Sequence, residues 1–145
     1  MSSKGSGHDP YNLERFLLAQ ERVFDRVVSE LRAKMKTSHW MWFIFPQIRG
    51  LGRSRISVEY AISCRDEARA YLQHPLLGPR LKECTRLVLE VQGRSVEDIF
   101  GSPDDMKFRS CMTLFAQVSP DDDLFERALQ KYFARVPDQL TLDRL

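Results

Sequence analysis

Between Leu31 and Val58 the chain has no aspartate or glutamate, so nothing local offsets its six cations there, Arg32, Lys34, Lys36, Arg49, Arg53 and Arg55. No apolar run approaches the roughly 20 residues needed to span a bilayer. The opening residues lack the charged-then-apolar layout of a secretory signal. These absences set the expectation of a cytoplasmic protein with no membrane partner. Cysteine is scarce: Cys64, Cys84 and Cys111 are odd in number, widely separated and without a C-x-x-C spacing. Reduced thiols are expected rather than a disulfide framework, with Cys84 and Cys111 packed in the core from apolar helical faces. His8, His39 and His74 form no i, i+4 pair and meet no carboxylate cluster, so neither a metal nor a cofactor is expected.

What is present describes an ordinary globular domain. At 145 residues, 43% hydrophobic and 29% charged, the chain is long enough to bury one sizeable core. Residues 1–8 are a Ser/Gly/Lys leader with little to bury and are expected to be disordered; residues 9–145 form the single helical domain. Asp9-Pro10 reads as a helix start. Leu13, Phe16, Leu17, Gln20, Phe24, Val27, Val28 and Leu31 follow at spacings of three and four, which predicts one long amphipathic helix.

Ser102-Pro103-Asp104-Asp105 and Ser119-Pro120-Asp121-Asp122 repeat the start signal, each before a periodic apolar segment. Helices are further predicted over 66–73 and 79–92, with a short turn of helix from Ser95 to Phe100 that ends at Gly101. Ile56, Val58, Tyr60 and Ile62 alternate with polar or small residues as a half-buried strand does. No second strand exists to pair with them, so the segment is read as helical or irregular. The predicted fold is all-α: a compact single-domain bundle of about six helices around a long irregular aromatic loop.

That loop carries the candidate site. Both tryptophans of the chain lie in Ser38-His39-Trp40-Met41-Trp42-Phe43-Ile44-Phe45-Pro46-Gln47, inside the cationic stretch. Cations attract an anion and aromatic faces stack on a planar ring. Gly50-Leu51-Gly52-Arg53-Ser54 adds backbone donors, a guanidinium and a hydroxyl in a plausible phosphate cradle. It is neither a Walker loop nor a dinucleotide fingerprint.

Phe43, Ile44 and Phe45 read as core; Trp40 and Trp42 divide evenly between core and site. His39 and Gln47 bracket the block, where a polar group must bond to backbone or ligand, and for His39 a structural and a catalytic role both remain open. Glu59, the first acid after the stretch, is a candidate general base or a surface ion-pair partner of Arg53 or Arg55. Arg49 and Lys107 are further candidate ligand-binding cations; Lys107 and Arg109 either join the pocket or face water. There is no nucleophile elbow and no defensible Ser/His/Asp order.

Several segments together carry a family resemblance: Phe16-Leu17-Leu18-Ala19-Gln20, the block from Ser38 to Gln47, Gly50 to Ser54, His74-Pro75-Leu76-Leu77-Gly78-Pro79-Arg80-Leu81, Ile99-Phe100-Gly101 and Asp105 to Phe115. The chain resembles a small bacterial family catalogued as a domain of unknown function, many of whose members carry the automatic label calpastatin. The resemblance covers nearly all of the chain after the leader. It implies an all-helical single domain and no established activity. The family's usual serine before Met112 is represented by Ser110, with Cys111 beside it. Calpastatin itself is a long disordered repeat protein, unlike this short and periodic chain, so that label carries no weight.

Such folds also look like helical domains associated with NAD and ADP-ribose metabolism. That relation implies a nucleotide-derived pocket of His39, Trp40, Trp42, Gln47, Arg53, Ser54 and Glu59, with Glu59 orienting water or ribose. The expected partner is therefore an anionic, nucleotide-like small molecule. Binding of single-stranded nucleic acid, or protein docking through the aromatic loop, are the alternatives that involve no catalysis. Oligomeric state is not legible.

Overall fold

Two faces of one apolar stripe bend around a buried amide at the start of the fold. In the computed structural model, which describes residues 8–145, the expected long first helix is two: α1 (Glu14–Glu21) and α2 (Phe24–Arg32). The chain turns at Val23, whose N–H reaches Gln20 O at 3.0 Å. Gln20 is buried at the seam. Its amide donates to Phe43 O at 2.8 Å and to Tyr71 Oη at 3.0 Å. A polar group is thus satisfied where the periodicity passes through the core, and Phe16, Val27 and Leu31 all stay buried.

The remaining helices are α3 (Met41–Ile44), α4 (Arg55–Glu59), α5 (Arg65–Gln73), α6 (Leu77–Glu90), α7 (Val96–Phe100), α8 (Asp104–Val118), α9 (Leu124–Phe133) and α10 (Gln139–Asp143). Among the described residues, ten helices replace the expected six or so. The added ones are the split of the first helix, α3 inside the segment read as an irregular loop, α4 in the segment read as helical or irregular, and a C-terminal turn. The all-α class holds: no strand occurs among the described residues, only one isolated parallel bridge between Ile48 and Ile62. The alternating segment 56–62 is therefore helical in its first half, and only Ile62 pairs in extended fashion. Of the expected leader, residues 1–7 lie outside the described residues. No helix of the described residues is long and apolar enough to cross a membrane.

Helix α8 is the axis of the bundle, packed against α5, α7, α9 and α10. Phe108, Cys111, Met112, Leu114 and Phe115 are all buried along it, and its inward hydroxyl Thr113 is bonded to Arg109 O. Phe45 packs edge-on to Phe100 and Phe108, at 5.8 and 5.1 Å between ring centroids. The end of the aromatic block is thereby anchored to α7 and α8. Helix α6 meets α5 so closely that a Cβ on Gly78 would lie 2.0 Å from Leu72 O. Only glycine permits that approach.

Ser110, which stands for the family's usual serine, serves the C-terminal segment. Its hydroxyl and that of Thr141 both donate to Asp138 Oδ2. The Asp138 N–H returns to Thr113 Oγ1 at 2.9 Å, and Arg109 donates to Val136 O and Pro137 O. This polar clasp closes the last segment over α8.

Candidate functional site

The site begins with a carboxylate that no local sequence signal marks. Glu30, in the last turn of α2, is 8% exposed. It accepts from Thr37 N–H at 2.7 Å, from both the N–H and the hydroxyl of Ser38, and from Trp40 Nε1–H at 2.9 Å. Burial raises its pKa, but these four hydrogen bonds outweigh that and hold the carboxyl at about 2. The chain can fold back on α2 because Lys34 takes a positive φ of 66°. Lys36 N–H then donates to Ile99 O at 2.7 Å. Segment 36–40 is seated between α2 and α7.

Short helix α3 follows, with Met41 and Ile44 turned into the core. Trp42 faces the opposite way and stays half-buried. Its ring lies under the Lys107 ammonium, 3.9 Å from the ring centroid. Lys107 projects from the first turns of α8, as does Asp104. One Asp104 oxygen lies 3.0 Å from Lys107 Nζ and the other 2.7 Å from Lys36 Nζ. Burial raises the Asp104 pKa, but hydrogen bonds from Lys36 and Lys107, with their charges, reverse the shift and hold it below the ordinary carboxylate value. Lys36 in turn stands 5.2 Å from the Trp40 ring centroid.

These groups enclose a hollow of about 260 Å³ lined by Lys36, His39, Trp40, Met41, Trp42, Phe43, Ile56, Asp104 and Lys107. Its walls are aromatic and apolar, and its charges are concentrated at one end. A wider depression of about 620 Å³ lies elsewhere, between α6 and α9. It is lined chiefly by long polar side chains, and its Lys131 is committed to capping α6 through Leu89 O and Val91 O.

The sequence-derived candidates separate into two groups. His39, Trp40, Trp42 and Lys107 meet at the hollow, His39 on its exposed rim. Trp40 is 1% exposed and bound to Glu30, so it belongs to the floor and to the core alike. Gln47, Arg49, Arg53, Ser54 and Glu59 do not line it. Gln47 is buried and its carbonyl accepts from Ile62 N–H, while Arg49 N–H donates to Ile62 O.

The polar groups of the expected cradle serve the chain itself. Ser54 Oγ accepts from Ser57 N–H as the N-cap of α4. Gly50 O accepts from the Arg144 guanidinium at 3.1 Å. Arg53 is exposed, and so is Glu59, whose carbonyl accepts from Arg15 Nε. Lys36 and Asp104 were legible only as a loop cation and a helix-start acid. Their pairing across 68 positions left no local signal.

The chain matches known proteins along nearly its whole length. The family model described as "Protein of unknown function (DUF1810)" matches residues 10–145. A solved structure, the conserved hypothetical protein Rv1873 from Mycobacterium tuberculosis, is 55% identical in sequence with a TM-score of 0.93. The match covers 94% of this chain and 98% of that one. No curated protein matches.

Proposed function

Because the chain belongs to the DUF1810 family, whose function is unknown, we propose a function from the site itself: a binding domain for a small anionic, ring-bearing, nucleotide-like molecule. The observation that carries this reading is the half-buried Trp42 ring beside Lys107, with Lys36 at the same end of one hollow. Ammonium groups supply attraction for an anion, and aromatic and apolar walls supply contact for a flat ring. Glu30 supports it by fixing the segment that carries His39, Trp40 and Trp42 before any ligand arrives, which lowers the ordering cost of binding.

Binding rather than catalysis is favoured by the acids. Asp104 is engaged by two ammonium groups and Glu59 stands outside the lining, leaving His39 as the rim group placed to exchange a proton. Cytoplasmic placement, and action without metal or cofactor, belong to the same proposal.

A thermal-shift screen against nucleotides, NAD, ADP-ribose, sugar phosphates, aromatic carboxylates and short oligonucleotides tests the reading, with Lys107→Met as control. A ligand at a hundredfold over its dissociation constant adds about 2.7 kcal/mol, which raises the midpoint by about 5–10 °C in a domain of this size. The shift should vanish in Lys107→Met. Silence across the panel, or equal shifts in both proteins, removes the hollow as the binding site.

A second reading has one observation behind it. Arg49, Arg53 and Arg55 are exposed, and no ion pair engages them among the described residues. A single-stranded nucleic acid tracking these cations would give oligonucleotide affinity that falls steeply with salt.

A further inference from the structure

We infer that the hollow selects a planar ring bearing a single negative charge, and that Asp104 sets this limit. The inference rests on the binding reading above and narrows its ligand. The charged side chains in the lining are Lys36, Lys107 and Asp104. Together these three leave one positive charge. Asp104 spans both ammonium groups, one oxygen on each, at 2.7 and 3.0 Å. An ammonium has three N–H donors, so each lysine keeps donors for a second anion while still holding Asp104.

A ligand of charge −1 brings this group to neutrality. A ligand of charge −2 leaves a surplus negative charge beside a carboxylate. The surplus matters because water is largely displaced: the side chains of Lys36, Asp104 and Lys107 are 7%, 18% and 22% exposed. Charges in such surroundings interact several times more strongly than in bulk water. Volume gives a second, independent limit. A hollow of about 260 Å³ lies just under the roughly 300–1,000 Å³ of ordinary ligand pockets. One ring system and one anionic group fit it, whereas a dinucleotide does not. An aromatic carboxylate and a cyclic nucleotide phosphodiester share this chemistry.

The test is calorimetric titration of the intact protein and of Asp104→Asn at pH about 8, where a phosphate monoester is doubly charged. Three probes separate charge from ring: indole-3-acetate and cyclic AMP, both monoanions, and AMP, a dianion sharing its base with cyclic AMP. The native protein is expected to bind at least one monoanion about tenfold more tightly than AMP, and the probe that binds tells carboxylate from phosphodiester. In Asp104→Asn the site carries two positive charges, and the preference should move about tenfold or more toward AMP. Lys107→Met, whose site is neutral, should lose the monoanion and gain no dianion, which keeps the inference testable if Asp104→Asn fails to fold. A native preference for AMP, or an unchanged ratio in Asp104→Asn, overturns the charge limit while leaving the hollow as an anion site. Failure of all three probes to bind the native protein overturns the anion-site reading and this inference with it.

Discussion

The Trp40 indole N–H donates to Glu30 Oε1 at 2.9 Å, and both side chains are buried. This bond ties the floor of the hollow to α2 and converts a stretch with little regular structure into a fixed wall. The same carboxylate holds two backbone N–H groups and a hydroxyl, so its charge is shared among four donors instead of being balanced by a cation. Hydrogen bonds to a charged group are among the strongest a fold has.

Glu30→Gln should therefore destabilise the protein by roughly 2–3 kcal/mol at neutral pH, read as a lower denaturant midpoint with a red-shifted Trp40 emission. The pH dependence follows from the depressed pKa. Stability from Glu30 is fully present above its ordinary value of 4.5 and is lost as pH falls through about 2. The stability gap between the native protein and Glu30→Gln should narrow over that window; a gap constant down to pH 2 would show that the carboxylate's charge is not what the cage binds.

Arg15, half-buried, is the second electrostatic anchor. Its guanidinium donates to the carbonyls of Tyr11, Asn12, Glu59 and Ala61, and to Glu67 Oε2 at 3.0 Å. Glu67 is 2% exposed, so removing the cation leaves a buried carboxylate without its counter-charge, held only by the N–H and hydroxyl of Ser63. Arg15→Ala should cost about 3–5 kcal/mol, measured by chemical denaturation. Adding Glu67→Gln to it should cost much less than the sum of the two single changes.

His74 links pH to the start of α6. Its Nδ1 accepts from Leu76 N–H and Leu77 N–H, a role only the unprotonated nitrogen can fill. Burial lowers its pKa from the ordinary 6.5. The stability it contributes is present above 6.5 and drains away as pH falls from there through the lowered value. Across that range the native melting temperature should fall more steeply than that of His74→Asn.

The three cysteines should differ in reactivity. Cys64 is only partly buried at the start of α5, and N–H donation from Glu67 lowers its pKa. Cys84 and Cys111 are buried, which pushes Cys84 up to about 12 and Cys111 well above the ordinary thiol value. Under native conditions a disulfide reagent should modify Cys64 alone and reach the other two only after unfolding.

Helical periodicity, which is local, was well written in the chain, and so the stripes of α6, α8 and α9 were legible from apolar spacing. The break between α1 and α2 was not, because it depends on Gln20 finding Phe43 and Tyr71 in space. The aromatic block identified the right neighbourhood for the hollow, since Trp42 and its flanking residues sit on consecutive positions. Two of its partners were hidden: Glu30 precedes the block on another helix, and Asp104 opens a helix that begins more than 50 residues after it, while Lys107 was legible as a candidate cation but not as the partner of Trp42. The Gly50 to Ser54 segment looked like a cradle because the same small and polar residues that receive a phosphate also cap a short helix. Here Ser54 caps α4 and Gly52 packs on Ser57.

The central claim is that ligand enters beside Trp42. It is tested most directly by following the two indole N–H signals of ¹⁵N-labelled protein while adding the strongest binder from the ligand screen. The Trp42 signal should move saturably with the neighbouring Lys107 amide, while the Trp40 signal, locked on Glu30, moves far less. A ligand that raises the melting temperature while both indole signals stay still, and whose shifts cluster instead around Arg86 and Lys131 in the wider depression, would contradict the claim.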